Sequence, residues 1–224
     1  MNTIILACPT LKGELLAALK EAQNTSMVYF LPADLHSDPK KLHSYVQDFI
    51  DRLYNVDRVV LCVSGCGGGT TGLVATTAEL VIPRTRDCVD ILLSEEDASK
   101  DKRKRRVYMT KSWYEYHQNS SLNYDTLVKA KGKEEADKFI RSLYKGFEEF
   151  YVVDTGTYDV QEIIDGLTPF VEVLGGSFKI IKGNYAVLHK IAREDYDAQF
   201  VRVPRGGTVP AKFYPENPRN RKAA

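Results

Sequence analysis

The sequence predicts an α/β protein with a doubly wound, mostly parallel sheet and a helical insertion. Short runs of β-branched and apolar residues alternate with segments whose apolar residues recur at helical spacing. Four such β-α units follow one another from the start of the chain. Repeated β-α units place their strands parallel, because each helix returns the chain to the same end of the sheet.

The first two β-α units are regular. Residues 3–7 (TIILA) and 27–31 (MVYFL) are predicted strands, and an amphipathic helix is expected over residues 11–22. Asp38 and Pro39 then supply an N-cap and a first-turn proline for a second helix. The apolar residues of that helix are Leu42, Tyr45, Val46, Phe49, Ile50 and Leu53.

Glycines mark the third unit. Residues 58–63 (RVVLCV) predict a strand that leads into the turn at 64–69 (SGCGGG), and a short helix is expected at about 70–77. A fourth strand is expected at 79–82. Pro83 closes this strand, and Asp87 is placed to cap a helix through residues 88 to 93.

The second half of the chain does not continue the regular alternation of strands and helices. Its predicted elements are a solvated charged loop at 95–106, a strand at 107–110, a helical insertion at about 111–147 and strands at 150–153, 171–174 and 178–181. The later strands are expected to complete the sheet. We therefore predict a single domain over residues 1–210, followed by a polar tail over 211–224.

The composition excludes several classes of protein. There are 31 basic and 30 acidic side chains, so no net charge attracts the chain to nucleic acid or to an anionic membrane. No apolar run approaches the roughly 18 residues of a membrane span. The N-terminus lacks the basic lead-in and cleavage site of a signal peptide. We expect a cytoplasmic protein, in which four cysteines indicate thiol chemistry, metal binding or burial rather than disulfides.

Three cysteines follow three different predicted strands. Cys8 comes directly after the first strand, Cys66 lies in the turn after the third, and Cys88 opens the helix after the fourth. The carboxyl ends of parallel strands meet at one edge of a sheet, where ligands bind. Each cysteine also lies near a predicted helix start, which favours an anion and is expected to lower the pKa of the thiol. The sequence therefore predicts a metal site formed by three thiolates.

Three thiolates leave one coordination position open, which suits zinc or an iron–sulfur cluster. His36 and Asp154 are candidate fourth ligands, because both lie just beyond predicted strands. Two other interpretations stay open: one reactive thiol, or cysteines that pack as small apolar side chains. Cys62 lies inside the apolar run at 58–63 and is expected in the core.

Other residues near these cysteines are candidates for the same site. Gly65 and Gly67 are expected to let the backbone approach a bulky cofactor around Cys66. The glycine turn lacks the spacing of known nucleotide-binding motifs. Arg84 and Arg86, two cations beside Cys88, are expected to stabilise a thiolate or hold an anionic substrate, unless they are solvated loop charges. Asp154 is expected to act as an acid/base group or ligand, or to cap the next helix.

An ordered set of short motifs extends from about residue 3 to 205. Its members are Ala7-Cys8, Leu35-His36 with Pro39, Gly65-Cys66-Gly67, Leu80 to Arg84, Asp87-Cys88, Val107 to Thr110 with Trp113, and Val153 to Gly156. The set resembles the bacterial and archaeal domain-of-unknown-function family numbered sixteen thirty-eight. Members of that family are often encoded near corrinoid-dependent methyltransferases of anaerobes. The resemblance implies a role in one-carbon metabolism and favours metal binding by the three cysteines, with His36, Arg84 and Asp154 as second candidates.

These observations favour a metalloenzyme in which thiolate-bound zinc or an iron–sulfur cluster acts on a small-molecule substrate. The resemblance adds corrinoid-linked methyl transfer as the reaction and a corrinoid protein as the partner. The alternative is a non-catalytic metal or cofactor carrier that uses the same cysteines. A third interpretation is a module that binds an anionic small molecule at the glycine turn, with the cysteines incidental.

Overall fold

The computed structural model describes residues 1–32, 34–35, 38–93 and 106–213. In chain order its strands and α-helices are β1 (Thr3–Ala7), α1 (Lys12–Glu21), β2 (Met27–Phe30), α2 (Pro39–Asp51), β3 (Arg58–Cys62), β4 (Glu79–Pro83), β5 (Arg106–Met109), α3 (Lys111–Gln118), α4 (Tyr124–Lys131), α5 (Lys133–Leu143), β6 (Glu149–Asp154), α6 (Val160–Val173), β7 (Ser177–Lys182), α7 (Ala186–Ala192) and β8 (Phe200–Val203). The predicted α/β class, with mostly parallel strands, is confirmed.

The chain forms two compact units. The first unit comprises Met1–Leu92 and Asn184–Ala224, and the second comprises Leu93–Gly183. Each unit has its own sheet. The region expected as a single domain, residues 1–210, thus contains both units. Among the residues described, no helix is long and apolar enough to cross a membrane.

The sheet of the first unit has the strand order β2-β1-β3-β4-β8. Its first four strands are parallel, and β8 pairs antiparallel with β4. Every residue of β1 and β3 is buried, as expected for central parallel strands. Because β2 lies on one side of β1 and β3 on the other, the carboxyl ends of β1 and β3 border the switch point, the position at which open α/β sheets bind ligands.

The helix that follows β2 begins as its sequence predicts. Asp38 Oδ1 accepts hydrogen bonds from the backbone N–H groups of Lys40 (3.0 Å) and Lys41 (3.1 Å). Pro39 fills the first helical position, where no N–H is needed. Leu42, Val46 and Ile50, spaced by four, form the buried face of α2.

The helix predicted at about 70–77 is wrong. Within this segment Gly72 adopts a positive φ of 79°, which an α-helix does not allow. The chain pairs instead with a C-terminal segment. The Gly72 N–H donates to the Val209 carbonyl at 3.1 Å, and the Val209 N–H donates to the Leu73 carbonyl at 2.8 Å. These bonds satisfy backbone groups that a helix would have paired internally.

Two short elements of the first unit differ from the prediction. The helix expected through residues 88–93 is one turn of 3-10 helix, Val89–Leu92. Asp87 nevertheless caps it, since its Oδ1 accepts from the Asp90 N–H at 3.1 Å. The strand β8 was not predicted, although its buried and exposed residues partly alternate.

The sheet of the second unit contains β5, β6 and β7, all parallel, with β6 in the centre. The expectation that these strands complete the first sheet is wrong, and only β8 joins it. The strand predicted at 171–174 is also wrong, because α6 continues to Val173. Helices α3, α4 and α5 occupy the predicted helical insertion. The core includes Met109, Phe150, Val152, Ile163, Leu167 and Phe170.

Two predicted segments fall mainly outside the described residues. Of the charged loop at 95–106, only Arg106 is described, as the first residue of β5. Of the tail at 211–224, residues 211–213 are described.

Candidate functional site

The carboxyl ends of β1, β3 and β4 bring three cysteines together in the first unit. Cys8 follows β1, Cys66 lies four residues beyond the end of β3, and Cys88 lies five residues beyond β4. Cys88 lies within hydrogen-bonding reach of both Cys8 and Cys66. Cys8 and Cys88 are buried, whereas Cys66 is partly exposed. The thiols therefore form one cluster centred on Cys88.

Thr10 joins two of these thiols. Its hydroxyl lies 3.0 Å from Cys8 Sγ and donates to Cys88 Sγ at 3.0 Å. Thr10 is placed there by a single 3-10 turn, Pro9–Leu11, which begins directly after Cys8. The Leu11 N–H closes this turn on the Cys8 carbonyl at 3.1 Å. The short segment Cys8-Pro9-Thr10 thus supplies both a thiol and the hydroxyl that orients a second one.

Cys66 lies in a strained and heavily bonded turn. Its φ is 39° and that of Ser64 is 57°, in the left-handed region that side chains other than glycine rarely adopt. The Cys66 N–H donates to the Arg86 carbonyl at 2.8 Å, and the Gly65 N–H donates to the Thr85 carbonyl at 3.1 Å. The Cys66 thiol donates to the Val63 carbonyl. Strain of this kind persists where the surroundings over-determine it, which is common at functional sites.

A buried ion pair shapes the loop that contains Cys88. Arg86 and Asp90 form a bidentate pair, with Nε–Oδ2 at 2.5 Å and Nη2–Oδ1 at 3.1 Å. Both side chains are only 4% exposed. The Arg86 N–H also donates to Asp90 Oδ2 at 3.2 Å. The backbone carbonyl of Arg86 also accepts the Cys66 N–H. The ion pair is therefore connected to both loops that contain Cys66 and Cys88.

Contacts within the cluster disfavour ionisation of Cys8 and Cys66. The hydrogen bond to Cys88 and then burial raise the pKa of Cys8 well above its ordinary value. The same two causes, in the same order, raise the pKa of Cys66. The expectation that helix starts would lower these pKa values is wrong, because the elements after Cys8 and Cys66 are single 3-10 turns and the neighbouring groups are other thiols.

Cys62 takes a different place. It ends β3, is fully buried, and its pKa is raised mainly by burial. Its carbonyl accepts the Cys8 N–H at 3.1 Å, but no hydrogen bond joins its thiol to the cluster. This matches the core position predicted from the run RVVLCV.

The flanking candidates have structural contacts of their own. Gly67 has a φ of 67°, and a Cβ there would lie 3.1 Å from Pro39 Cγ, so the turn approaches α2 closely. Gly65 is buried in the same turn. Arg84 is exposed, and its guanidinium donates to the backbone carbonyls of Ala198 (3.1 Å) and Phe213 (3.2 Å). Arg84 thus fastens the C-terminal segment.

The two candidate fourth ligands stay predictions. His36 lies outside those residues. Asp154 ends β6 in the second unit, so it does not follow a strand of the sheet that holds the cysteines. Its carboxylate accepts the Gly156 N–H at 2.9 Å and lies 3.3 Å from Lys182 Nζ. Asp159, not Asp154, caps α6.

Sequence patterns did not single out Thr10 or Asp90, and they predicted a thiolate or an anionic substrate, not Asp90, as the partner of Arg86. Thr10 gives no signal beyond its position two residues after a cysteine. Arg86 and Asp90 are spaced by four, a common pairing distance on helices, but their segment holds only one 3-10 turn. Their burial, which makes them important, is visible only in the fold.

The three thiols are linked through Cys88 rather than arranged around a shared metal position. In the described ranges, no group of three or more His, Cys, Asp or Glu side chains is arranged to hold a metal ion. Cys8 and Cys66 each lie within hydrogen-bonding reach of Cys88. The set nevertheless has the chemistry of a soft-metal site, since sulfur donors from two loops lie within reach of Cys88 in a third.

Comparisons with known proteins give one match. No curated protein matches the chain, and no solved structure matches it. A family profile described as "Protein of unknown function (DUF1638)" matches residues 30–192, which include Cys66 and Cys88. That span covers more than half of the 224 residues. The chain therefore belongs to the DUF1638 family.

Proposed function

We propose that Cys8, Cys66 and Cys88 bind a metal ion or an iron–sulfur cluster with one open coordination position. One observation supports this above all: three thiols from three separate strand ends meet around Cys88 at the switch point of the sheet. When bound, zinc or a cluster would supply Lewis-acid activation of a group at the open position. The four free cysteines suit a reducing, cytoplasmic setting.

The residues present fit such a group in chemistry. Cysteine thiolates are the ligands that structural zinc and iron–sulfur clusters take in proteins, so Cys8, Cys66 and Cys88 would supply three of the ligands. Ligation by all three cysteines requires Cys66 to give up its hydrogen bond to the Val63 carbonyl. A positive ion would also reverse the raised pKa values, because coordination deprotonates thiols.

Elemental analysis tests this proposal directly. We expect protein purified without oxygen to contain stoichiometric iron with broad visible absorption, or stoichiometric zinc. Cys66→Ala should lose most of this metal, since Cys66 is one of the three donors. Cys62→Ala is the matched control, because Cys62 is a buried thiol of the same unit outside the cluster. Wild-type protein without metal after reconstitution, or equal metal in both variants, would overturn the proposal.

We further propose that the bound group serves a step of corrinoid-linked methyl transfer to a small-molecule acceptor, with a corrinoid protein as partner. This finer proposal rests on the family resemblance. Its test is methyl transfer from a methylated corrinoid to a thiol acceptor, compared between wild-type protein and Cys66→Ala. Loss of turnover in the folded variant supports it, and full activity in that variant rejects it.

A further inference from the structure

A cleft of about 600 Å³ lies beside the turn that holds Cys66. Its lining residues come from the start of α2 and from the glycine turn: Asp38, Pro39, Lys40, His43, Ser44, Gly67 and Gly68. This volume is within the range of small-molecule sites. Gly67 and Gly68 directly follow Cys66, so the cleft lies beside the turn that contains this partly exposed residue.

The acidic and hydroxyl groups of this cleft are already bonded. Asp38 Oδ1 accepts two backbone N–H groups at the start of α2, and Asp38 Oδ2 lies 3.9 Å from Lys41 Nζ. The backbone N–H groups in the first turn of α2 are therefore already bonded to the capping residue Asp38. The Ser44 hydroxyl donates to the Lys40 carbonyl at 3.2 Å.

Two basic groups of the cleft are not engaged in this way. The Lys40 ammonium and the His43 imidazole have no hydrogen-bond or ion-pair partner among the described residues. They are three residues apart on α2, so they lie on the same face of the helix. The opposite wall is glycine, and a Cβ at Gly67 would stand 3.1 Å from Pro39 Cγ and narrow the cleft.

We propose that this cleft binds a small anionic molecule, with a carboxylate or phosphate group at Lys40 and His43, and presents it to Cys66. The second part rests on the proposed function, since it makes the thiol cluster the reacting centre. A cation and a hydrogen-bonding imidazole on one wall are the groups that recognise such anions. The side-chain-free glycine wall gives the molecule access to the Cys66 turn.

The binding test uses inorganic phosphate and succinate as separate probes at pH 7 and constant ionic strength. The proton NMR signal of the His43 ring, assigned by its loss in His43→Gln, should shift and saturate with at least one probe. Removing the ammonium in Lys40→Met should weaken binding about tenfold. Lys41→Met is the control, because Lys41 is the neighbouring lysine and does not line the cleft.

The two probes separate the sources of the anion. A response to phosphate alone identifies a phosphate group, and a response to succinate alone identifies a carboxylate. An unmoved His43 signal with both probes overturns the proposal. Equal weakening in Lys40→Met and Lys41→Met also overturns it, because that result would reflect overall charge rather than this cleft.

Alkylation tests the link between the cleft and Cys66. The alkylation rate of Cys66 is measured on the full chain freed of metal, with anionic iodoacetate and with neutral iodoacetamide. The ratio of the iodoacetate rate to the iodoacetamide rate should be about tenfold higher in wild-type protein than in Lys40→Met. The bound probe should slow the reaction with iodoacetate. An unchanged ratio rejects presentation to Cys66.

Metal analysis keeps the two proposals apart. Protein that binds the probes but no metal rejects the proposed function and leaves the anion site in place. Protein that binds metal but neither probe rejects the anion site alone.

Discussion

Thr10 is the residue whose hydroxyl joins Cys8 to Cys88. Thr10→Val keeps the shape of the side chain and removes both hydrogen bonds. Hydrogen bonds to metal ligands commonly alter metal affinity about 10- to 100-fold. We therefore expect Thr10→Val to lose metal to a chromogenic chelator at a concentration at least about tenfold lower than wild-type protein. Thr10→Ser, which retains a hydroxyl, should behave like wild type, and equal retention in all three proteins would show that the hydroxyl plays no part.

His117 is a buried imidazole in the second unit. It is 4% exposed, stacks on Trp113 with ring centroids 5.1 Å apart, and meets the edge of Phe170 at 5.2 Å. Neither ring nitrogen has a hydrogen-bond partner in the described part of the chain. Burial lowers the pKa of His117 to about 4. The folded unit therefore holds this residue neutral at a pH where an unfolded chain protonates it.

The pH dependence follows from that difference. Between about pH 6.5 and pH 4 the unfolded chain binds the extra proton, so the free energy of unfolding falls as the pH is lowered, by about 3 kcal/mol in total. Urea titrations followed by the fluorescence of Trp113, the single tryptophan, measure this loss. His117→Phe should retain the ring contacts and abolish this loss of unfolding free energy between about pH 6.5 and pH 4. The control His189→Gln changes a partly exposed histidine that faces Glu21, and this variant should still show the loss.

The residue scale also separates what the sequence could predict about the site from what it could not. Cys8, Cys66 and Cys88 were predictable, because each follows a strand whose apolar run is unambiguous and the topology then places the strand ends together. The rise in the pKa values of Cys8 and Cys66 was not predictable, because it depends on hydrogen bonds between thiols that are distant in sequence. Thr10 was missed for the same reason, since its partner Cys88 is 78 residues away.

At the scale of an element, the loop between β4 and the 3-10 turn depends on the pair Arg86 and Asp90. Asp90→Ala leaves the Arg86 charge buried without its partner, and we expect a loss of about 3–5 kcal/mol in the free energy of unfolding. The double change Arg86→Met with Asp90→Leu removes both charges and should recover most of that loss. Chemical denaturation of the three proteins measures this. A double variant no more stable than Asp90→Ala would contradict the explanation by buried charge.

Elements were predictable where local signals were strong. The strand β1 and helix α2 match their apolar spacing and the Asp38-Pro39 start. The helix expected at 70–77 fails because Gly72 has a positive φ and Val209 supplies the backbone partner from far along the chain. The apolar run at 171–174 is the end of α6, because a short apolar run does not distinguish a strand from the buried face of a helix.

For the whole molecule, the alternation of strands and helices predicted the α/β class but not the partition of strands between two sheets. Each parallel strand has the same apolar character wherever it pairs, so the sequence of β5 to β7 does not state which sheet they join. The partition places all four cysteines in the first unit and the single tryptophan in the second. The chain thus contains a separate natural reporter for each unit.

Because each unit has its own sheet and buried residues, a cavity in one should destabilise that unit alone. Phe150→Ala removes a fully buried ring from the core of the second unit, at a cost of about 3–5 kcal/mol. We expect it to lower the urea midpoint seen by Trp113 fluorescence and to leave unchanged the midpoint at which the buried thiols become reactive to a thiol reagent. Ile5→Ala in β1 should have the opposite pattern. If both reporters shift together in both variants, the two units unfold as a single cooperative system.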